Sequence, residues 1–194
     1  MICRLTGLVG GIDEAGRGPL AGPVVSSCVV WNTVPEDKHG VTDSKLLNEK
    51  ERVGLFSWIM DNALSVGIGM ATHEEIDELN ILNATILSME RALEATGLDP
   101  DLILVDGNRG LKNYPKARPV VGGDRKCFFM ASASIIAKVV RDRAMDAYDR
   151  IYPLYCFKKN KGYPTKQHRA AIKSFGVTPV HRRTFKGVKE YCVR

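Results

Sequence analysis

The chain of 194 residues is poor in the features that announce secretion, membranes or zinc. Its five cysteines, Cys3, Cys28, Cys127, Cys156 and Cys192, form no CxxC pair and no Cys/His ligand spacing, which argues against a zinc site. An odd, scattered set of this kind points to reduced thiols. No apolar run approaches the roughly 20 residues that span a bilayer. The opening MICRLTGLVGG has neither the long apolar stretch nor the small-residue cleavage site of a signal peptide, so a cytoplasmic location away from membranes is expected. Internal repeats, low-complexity tracts and obvious linkers are also missing. None of the four histidines is placed as an obvious general base, and nothing looks like a protein nucleophile.

What is present is an ordinary globular composition, 44% hydrophobic and 26% charged, sufficient for one sizeable core. The length suits one compact domain with a C-terminal appendage. Net charge is +6 with a pI near 9.1, a mild excess concentrated in the C-terminal half from Arg109 onward. A solvated basic face and a nucleic-acid contact explain that distribution equally well until the motifs are weighed.

One stretch dominates the reading: GGIDEAGRGPLAGP at 10–23. Two adjacent carboxylates, Asp13 and Glu14, close a short apolar run, and a loop with Arg17 between Gly16 and Gly18 follows. Two acids invite a divalent cation, and flexible backbone with an arginine invites a phosphate. Residues 8–13 read as a buried strand and 23–31 as a second, rich in β-branched residues and returning hairpin-like. Successive strand side chains point to opposite faces, so for Asp13 and Glu14 to share one site the backbone is expected to bend there.

Further along, Asn48 caps a helix reaching Asn62, and residues 63–71 read as a third strand whose glycines admit a closely packed neighbour. Thr72 and Glu75 form a capping-box pattern opening a short helix, and from Asn80 a strongly amphipathic helix runs until Gly97 stops it. Residues 101–107 are a buried strand ending in Asp106, and 117–121 a short strand leading to Asp124. A long helix spans 130–150. After a tyrosine-rich loop, Thr165 caps another helix that ends near Gly176, and the basic tail holds one more helical turn. The order fits an α/β layer with a mixed sheet. The two tryptophans, Trp31 and Trp58, read as core, and Ser132 and Ser134 as close helix–sheet packing.

Asp13, Glu14, Asp106 and Asp124 thus fall at or just beyond strand ends, where sites gather in open α/β sheets. Carboxylates converging there repel one another unless cations bind them. Oxygen-only ligands suit Mg²⁺ or Mn²⁺, and two such ions can clamp an in-line phosphoryl displacement.

The blocks IDEAGRGPLAGPVV, TDSK, LVDG, GD, ASASIIAKVVRDR, GYPTKQH and HRRTF follow one another from Gly10 to about Phe185. In identity and order they resemble ribonuclease HII. The resemblance implies a ribonuclease H-like fold with a mixed five-stranded sheet flanked by helices, residues 1–160 forming the catalytic domain and 161–194 a helical C-terminal extension packed on it. It also implies a monomeric endonuclease that hydrolyses the RNA strand of RNA–DNA hybrids and incises at single ribonucleotides in duplex DNA. Asp13, Glu14, Asp106 and Asp124 match the acids that bind two Mn²⁺ or Mg²⁺ ions, with Asp142 as a rival for the fourth place. Gly16, Arg17 and Gly18 match the loop whose backbone closes around the 2′-hydroxyl, Tyr163 the tyrosine stacking on the neighbouring deoxyribose, and Lys45 a phosphate contact. His168 is expected either to touch phosphate or to cap and pack. Arg182 and Arg183 either track the hybrid's backbone or are merely solvated. Leu46 stands where a second lysine is usual, and Phe128 and Phe129 where one aliphatic anchor is common. The C-terminal KEYCVR shows no sliding-clamp binding pattern.

Overall fold

The central strands form where the chain can bury both faces. The computed structural model describes residues 7–192. Its first strand, β1 (Val9–Ala15), and its second, β2 (Val24–Trp31), are almost entirely buried and pair antiparallel, from Val9 opposite Trp31 to Ala15 opposite Val25. Helix α1 (Glu49–Asn62) starts on a reciprocal capping box between Asn48 and Glu51. Strand β3 (Ser65–Ala71) adds antiparallel to β2. Helix α2 (His73–Glu94) starts on the Thr72–Glu75 capping box. Strands β4 (Leu102–Asp106) and β5 (Ala117–Val120) run parallel to β1 on its other side. The sheet is therefore mixed and five-stranded in the order β3-β2-β1-β4-β5, with β1 at its centre.

Helices cover both faces. Helix α3 (Phe128–Ile151) and α1 pack on one face around Val9, Val29, Trp31, Leu104, Phe128 and Phe129. Helix α2 packs on the other, around Ile12, Cys28, Val30, Ile103 and Val105. Side-chain alternation in each strand decides which residues meet which helix. As the glycines of β3 suggested, Gly67 and Gly69 lie directly under α2, where an added Cβ would overlap the carbonyls of Ala92 and Ser88. The expected division near Asn80 is also present. Asn80 leaves helical geometry (φ 68°, ψ 162°), and its Oδ1 accepts from the N–H groups of Leu82 and Asn83 at 3.0 and 3.2 Å, restarting the helix.

Trp31 is buried, stacks on Trp58 (centroids 5.8 Å) and meets Phe128 edge-on at 5.0 Å. The two phenylalanines that open α3 are thus absorbed into the core. The tyrosine-rich stretch is more ordered than a loop: a 3₁₀ turn (Pro153–Tyr155) leads into the four-residue helix α4 (Phe157–Asn160). Buried Asn160 drives this, donating to the Tyr155 carbonyl at 2.7 Å and accepting from Gly162 N–H at 2.8 Å. Helix α5 (Lys166–Phe175) is capped by Thr165, and the tail ends in a 3₁₀ turn (Lys189–Tyr191). Cys28, Cys127, Cys156 and Cys192 form no disulfide, while Cys3 lies outside the described residues. No described helix is long and apolar enough to cross a membrane.

Candidate active site

Register brings the acids together. Ile12 lies beside Val105 on the parallel neighbour, so one residue further Asp13 and Asp106 are side by side. Both alternate onto the α3 face, because Val9 and Leu104 do. Asp124 arrives on the same side in the 3₁₀ turn Gly123–Arg125 that feeds α3. Carboxylate oxygens of Asp13, Asp106 and Asp124 all lie within 4.8 Å of one another. Asp106 Oδ1 accepts from the Gly123 N–H at 2.7 Å, tying the strand end to that turn. Ser134 on α3 bonds to Asp13, and its hydroxyl also meets that of Ser44 at 2.8 Å.

Glu14 takes a different position from the one expected. No bulge interrupts the strand: pairing continues through Glu14 opposite Ser26 to Ala15 opposite Val25. Glu14 therefore points to the α2 side, bordering a small cleft with Leu82, Thr85, Ile86 and Asp106, and it stands outside the three-aspartate cluster. It remains close enough for its charge to act on Asp13, and it pairs with Arg17 at 3.4 Å. Burial first, then the charges of Glu14 and Asp106, push the Asp13 carboxyl well above the usual carboxylate range. Burial likewise raises Glu14, against the pull of Arg17.

Among the described residues the cluster has one close cation, Lys45, whose Nζ is 3.4 Å from Asp124 Oδ2. Buried Asp43 holds Lys45 there: its Oδ1 accepts the Lys45 N–H at 2.9 Å, and its Oδ2 accepts from Arg125 Nε at 3.1 Å. Leu46 is left exposed. A set of oxygen donors this close, with too little positive charge around it, fits a hard divalent cation.

Beside the cluster opens a cleft of about 200 Å³ lined by Glu14, Gly16, Arg17, Gly18, Lys45 and Tyr163, among others. Gly16 has φ +100°, and an added Cβ would overlap the Arg141 side chain, so only glycine fits. Gly18 is freer, with Tyr163 Cε1 3.6 Å from where a Cβ would stand. Tyr163, partly exposed, lines the same cleft beside Gly18.

Two basic residues assigned to the surface or overlooked are buried instead. Arg182 is fully buried, and its guanidinium donates to the carbonyls of Gly16, Arg17 and Gly22 at 2.6, 2.9 and 2.9 Å. It therefore cannot track a nucleic-acid backbone. Arg183 is exposed beside it, its backbone N–H donating to Asp77 at 2.7 Å. Arg141, which sequence reasoning passed over, donates to the carbonyls of Pro23, Lys161 and Ala21. Asp142 sits outside the acid cluster, paired at 2.7 Å with Lys138 one turn earlier.

His168 is buried as well, which leaves packing rather than phosphate contact. The Thr178 N–H donates to His181 Nδ1 at 2.9 Å, so neutral His181 carries its proton on Nε2. That proton faces His168 Nε2 at 3.0 Å, and His168 Nδ1–H then donates to the Tyr163 carbonyl at 2.9 Å. Burial lowers both imidazoles, His181 to about 4. Unfolding releases them to an ordinary value near 6.5. The folded state then binds fewer protons, so their contribution is complete above pH ~6.5 and is lost as pH falls, for His181 toward about 4. Replacing His181 with Asn, which keeps an acceptor but does not titrate, is expected to flatten the decline of the urea midpoint across that window. An unchanged slope would show that other groups drive it.

A mixed sheet with helices on both faces and a carboxylate cluster at the ends of parallel strands defines a metal-dependent hydrolase of the ribonuclease H type. Comparison with known proteins agrees. Residues 10–188 match the family model described as Ribonuclease HII. The chain is 51% identical over 177 residues to a ribonuclease HII of Clostridioides difficile (strain 630), covering 91% of this chain and 69% of that one. It is 50% identical over 184 residues to a ribonuclease HII of Marinomonas sp. (strain MWYL1), covering 94% and 92%. The fold superposes on the crystal structure of ribonuclease H2 from Pyrococcus horikoshii OT3 with a TM-score of 0.77 at 29% identity, covering 95% and 96%. It also superposes on RNase HII in a PCNA complex from Archaeoglobus fulgidus, with a TM-score of 0.78 at 25% identity, covering 92% and 95%. The chain belongs to the ribonuclease HII family, metal-dependent endonucleases that degrade the RNA of RNA–DNA hybrids.

Proposed function

We propose that the protein incises duplex DNA at single ribonucleotides as well as cutting the RNA strand of hybrids, on the 5′ side of the ribonucleotide, leaving a 3′-hydroxyl and a 5′-phosphate. The observation that carries this is the adjacency of the aspartate cluster to a cleft walled by loop backbone and by Tyr163. A nuclease blind to sugar has no use for such a wall.

Asp13, Asp106 and Asp124, with Glu14 from the neighbouring face, are the residues to hold two Mn²⁺ or Mg²⁺ ions. Bound there, such ions supply an activated water and neutralise the charge on the leaving 3′-oxygen. The protein's own groups do the rest. Gly16, Arg17 and Gly18 bring backbone close enough to contact a 2′-hydroxyl, the group that separates RNA from DNA. Tyr163 offers a flat face to the next sugar, where a 2′-hydroxyl would clash. Lys45, mostly exposed, is placed to meet a phosphate oxygen at the edge of the cluster.

The test uses a DNA duplex with one embedded ribonucleotide and its all-DNA counterpart, each with EDTA, Mg²⁺ or Mn²⁺. The expected result is metal-dependent incision confined to the ribonucleotide. Equal cutting of the all-DNA duplex would show that the cleft does not read the sugar.

A further inference from the structure

The loop 16–22 touches the cleft with one side and two buried arginines with the other. Arg182 spans it, joining the carbonyls of Gly16 and Arg17 at its start to that of Gly22 at its end. In a trans peptide the N–H points away from the C=O of the same unit. The carbonyls of Gly16 and Arg17 share their peptide planes with the N–H groups of Arg17 and Gly18. Drawing both carbonyls inward therefore turns both N–H groups outward, on the side of the cleft that these residues line. Neither N–H finds an acceptor among the described residues.

Arg182 is an unusual choice for a brace. It is buried without a carboxylate within ion-pairing distance among the described residues, held by three carbonyl dipoles and the Phe185 ring 5.1 Å away. Its second neighbour is another buried cation, Arg141, wedged under Gly16. A buried charge is costly unless its hydrogen bonds are made, and a planar fork is the one side chain that satisfies several carbonyls at fixed angles. Its own segment is anchored from outside: the Arg182 N–H donates to the Leu20 carbonyl at 2.8 Å, and Asp77 accepts from the N–H groups of Arg183 and Thr184 at 2.7 and 2.9 Å.

We infer that Arg182 is the positioning residue for sugar selection: by pinning the Gly16 and Arg17 carbonyls it holds the Arg17 and Gly18 N–H groups ready to meet a 2′-hydroxyl. This rests on the reading of that loop as the ribose contact. C-terminal residues far from the acids in sequence then set specificity without touching substrate.

The experiment measures affinity in EDTA, which blocks metal-dependent cleavage, for the single-ribonucleotide duplex and its all-DNA counterpart. The ratio of the two reports recognition of one hydroxyl. Arg182→Lys keeps the positive charge but cannot bridge three carbonyls. It is expected to bind the all-DNA duplex as the wild type does while the ratio falls about tenfold, the weight of a well-placed hydrogen bond. A folded Arg182→Lys with an undiminished ratio, or one that weakens both duplexes equally, overturns the proposal. If Arg182→Lys shows no cooperative melting, Asp77→Ala decides, because it loosens the same segment from outside. A smaller fall in the ratio supports the positioning role, and no change refutes it. A wild-type ratio of one would instead overturn the ribose-reading itself, and this proposal with it.

Discussion

Asp106→Asn is expected to abolish incision, by about three orders of magnitude or more, some 4 kcal/mol of transition-state stabilisation, while making the metal-free protein harder to melt. The two effects have one cause. Asp106 Oδ1 accepts from the Gly123 N–H, and an asparagine oxygen can do the same, so the junction between β4 and the turn before α3 survives. What disappears is a negative charge within 4.8 Å of two other carboxylates. That charge is among the causes that raise Asp13, and its removal is worth on the order of 1 kcal/mol to the folded state without metal. Thermal melts in EDTA and in Mn²⁺ check both halves. The wild type should gain stability from Mn²⁺ by mass action, and the variant should start higher in EDTA and gain less. A variant that melts below the wild type in EDTA, or that still cuts at the wild-type rate, would show that the cluster is not a charge-strained metal site.

Local signals in the sequence carried most of the architecture, and tertiary burial accounts for what they missed. The capping boxes at Asn48–Glu51 and Thr72–Glu75 and the break at Asn80 are each decided by neighbours a few residues away, and each is found as expected, as is the close helix over the glycines of β3. The strand-end positions of Asp13 and Asp106 follow from short apolar runs. Adjacency of two acids in sequence does not by itself put them on one face: period-2 alternation, continuous through β1, sets Glu14 on the other side of the sheet from Asp13, beside the cluster rather than within it. For His168 packing, one of the two expected roles, is the one found, whereas Arg182 was expected at the surface in either reading and is buried. A basic residue in a basic tail defaults to the surface, and only the fold reveals that carbonyls of the 16–22 loop and of Tyr163 await them inside. Arg141 and Lys138 carried no signal beyond their place in the long helix expected over 130–150. Ser134 did, since small residues under a helix mark close packing, but its bond to Asp13 needs the register between α3 and β1.

Gly10 and Gly11 stand next to each other in the central strand, and replacing each by alanine is expected to give very different proteins. Gly11 faces α3, where an added Cβ would overlap the carbonyl group of Phe129 and crowd the nitrogen of Met130. These are backbone atoms in the first turn of a helix and have no rotamer to escape into. Nor can the strand retreat, because Gly11 is fixed between Val29 on β2 and Leu104 on β4. Gly11→Ala must therefore lift α3 off the sheet, at a cost of about 4 kcal/mol or more, in the range reserved for severe overpacking. Gly10 faces the α2 side, where the same methyl would stand 3.3 Å from Cys28 Sγ and 3.4 Å from Pro100 Cγ. Those are side-chain atoms that yield by a few tenths of an ångström, so Gly10→Ala should cost about 1 kcal/mol or less. Urea midpoints of the two variants separate the cases, and equal midpoints would disprove the packing account. Activity should follow the same division. Lifting the start of α3 carries Ser134 away from Asp13 and disturbs the turn that presents Asp124, so Gly11→Ala should lose incision even where some folded protein remains. Gly10→Ala leaves that face alone and should keep it.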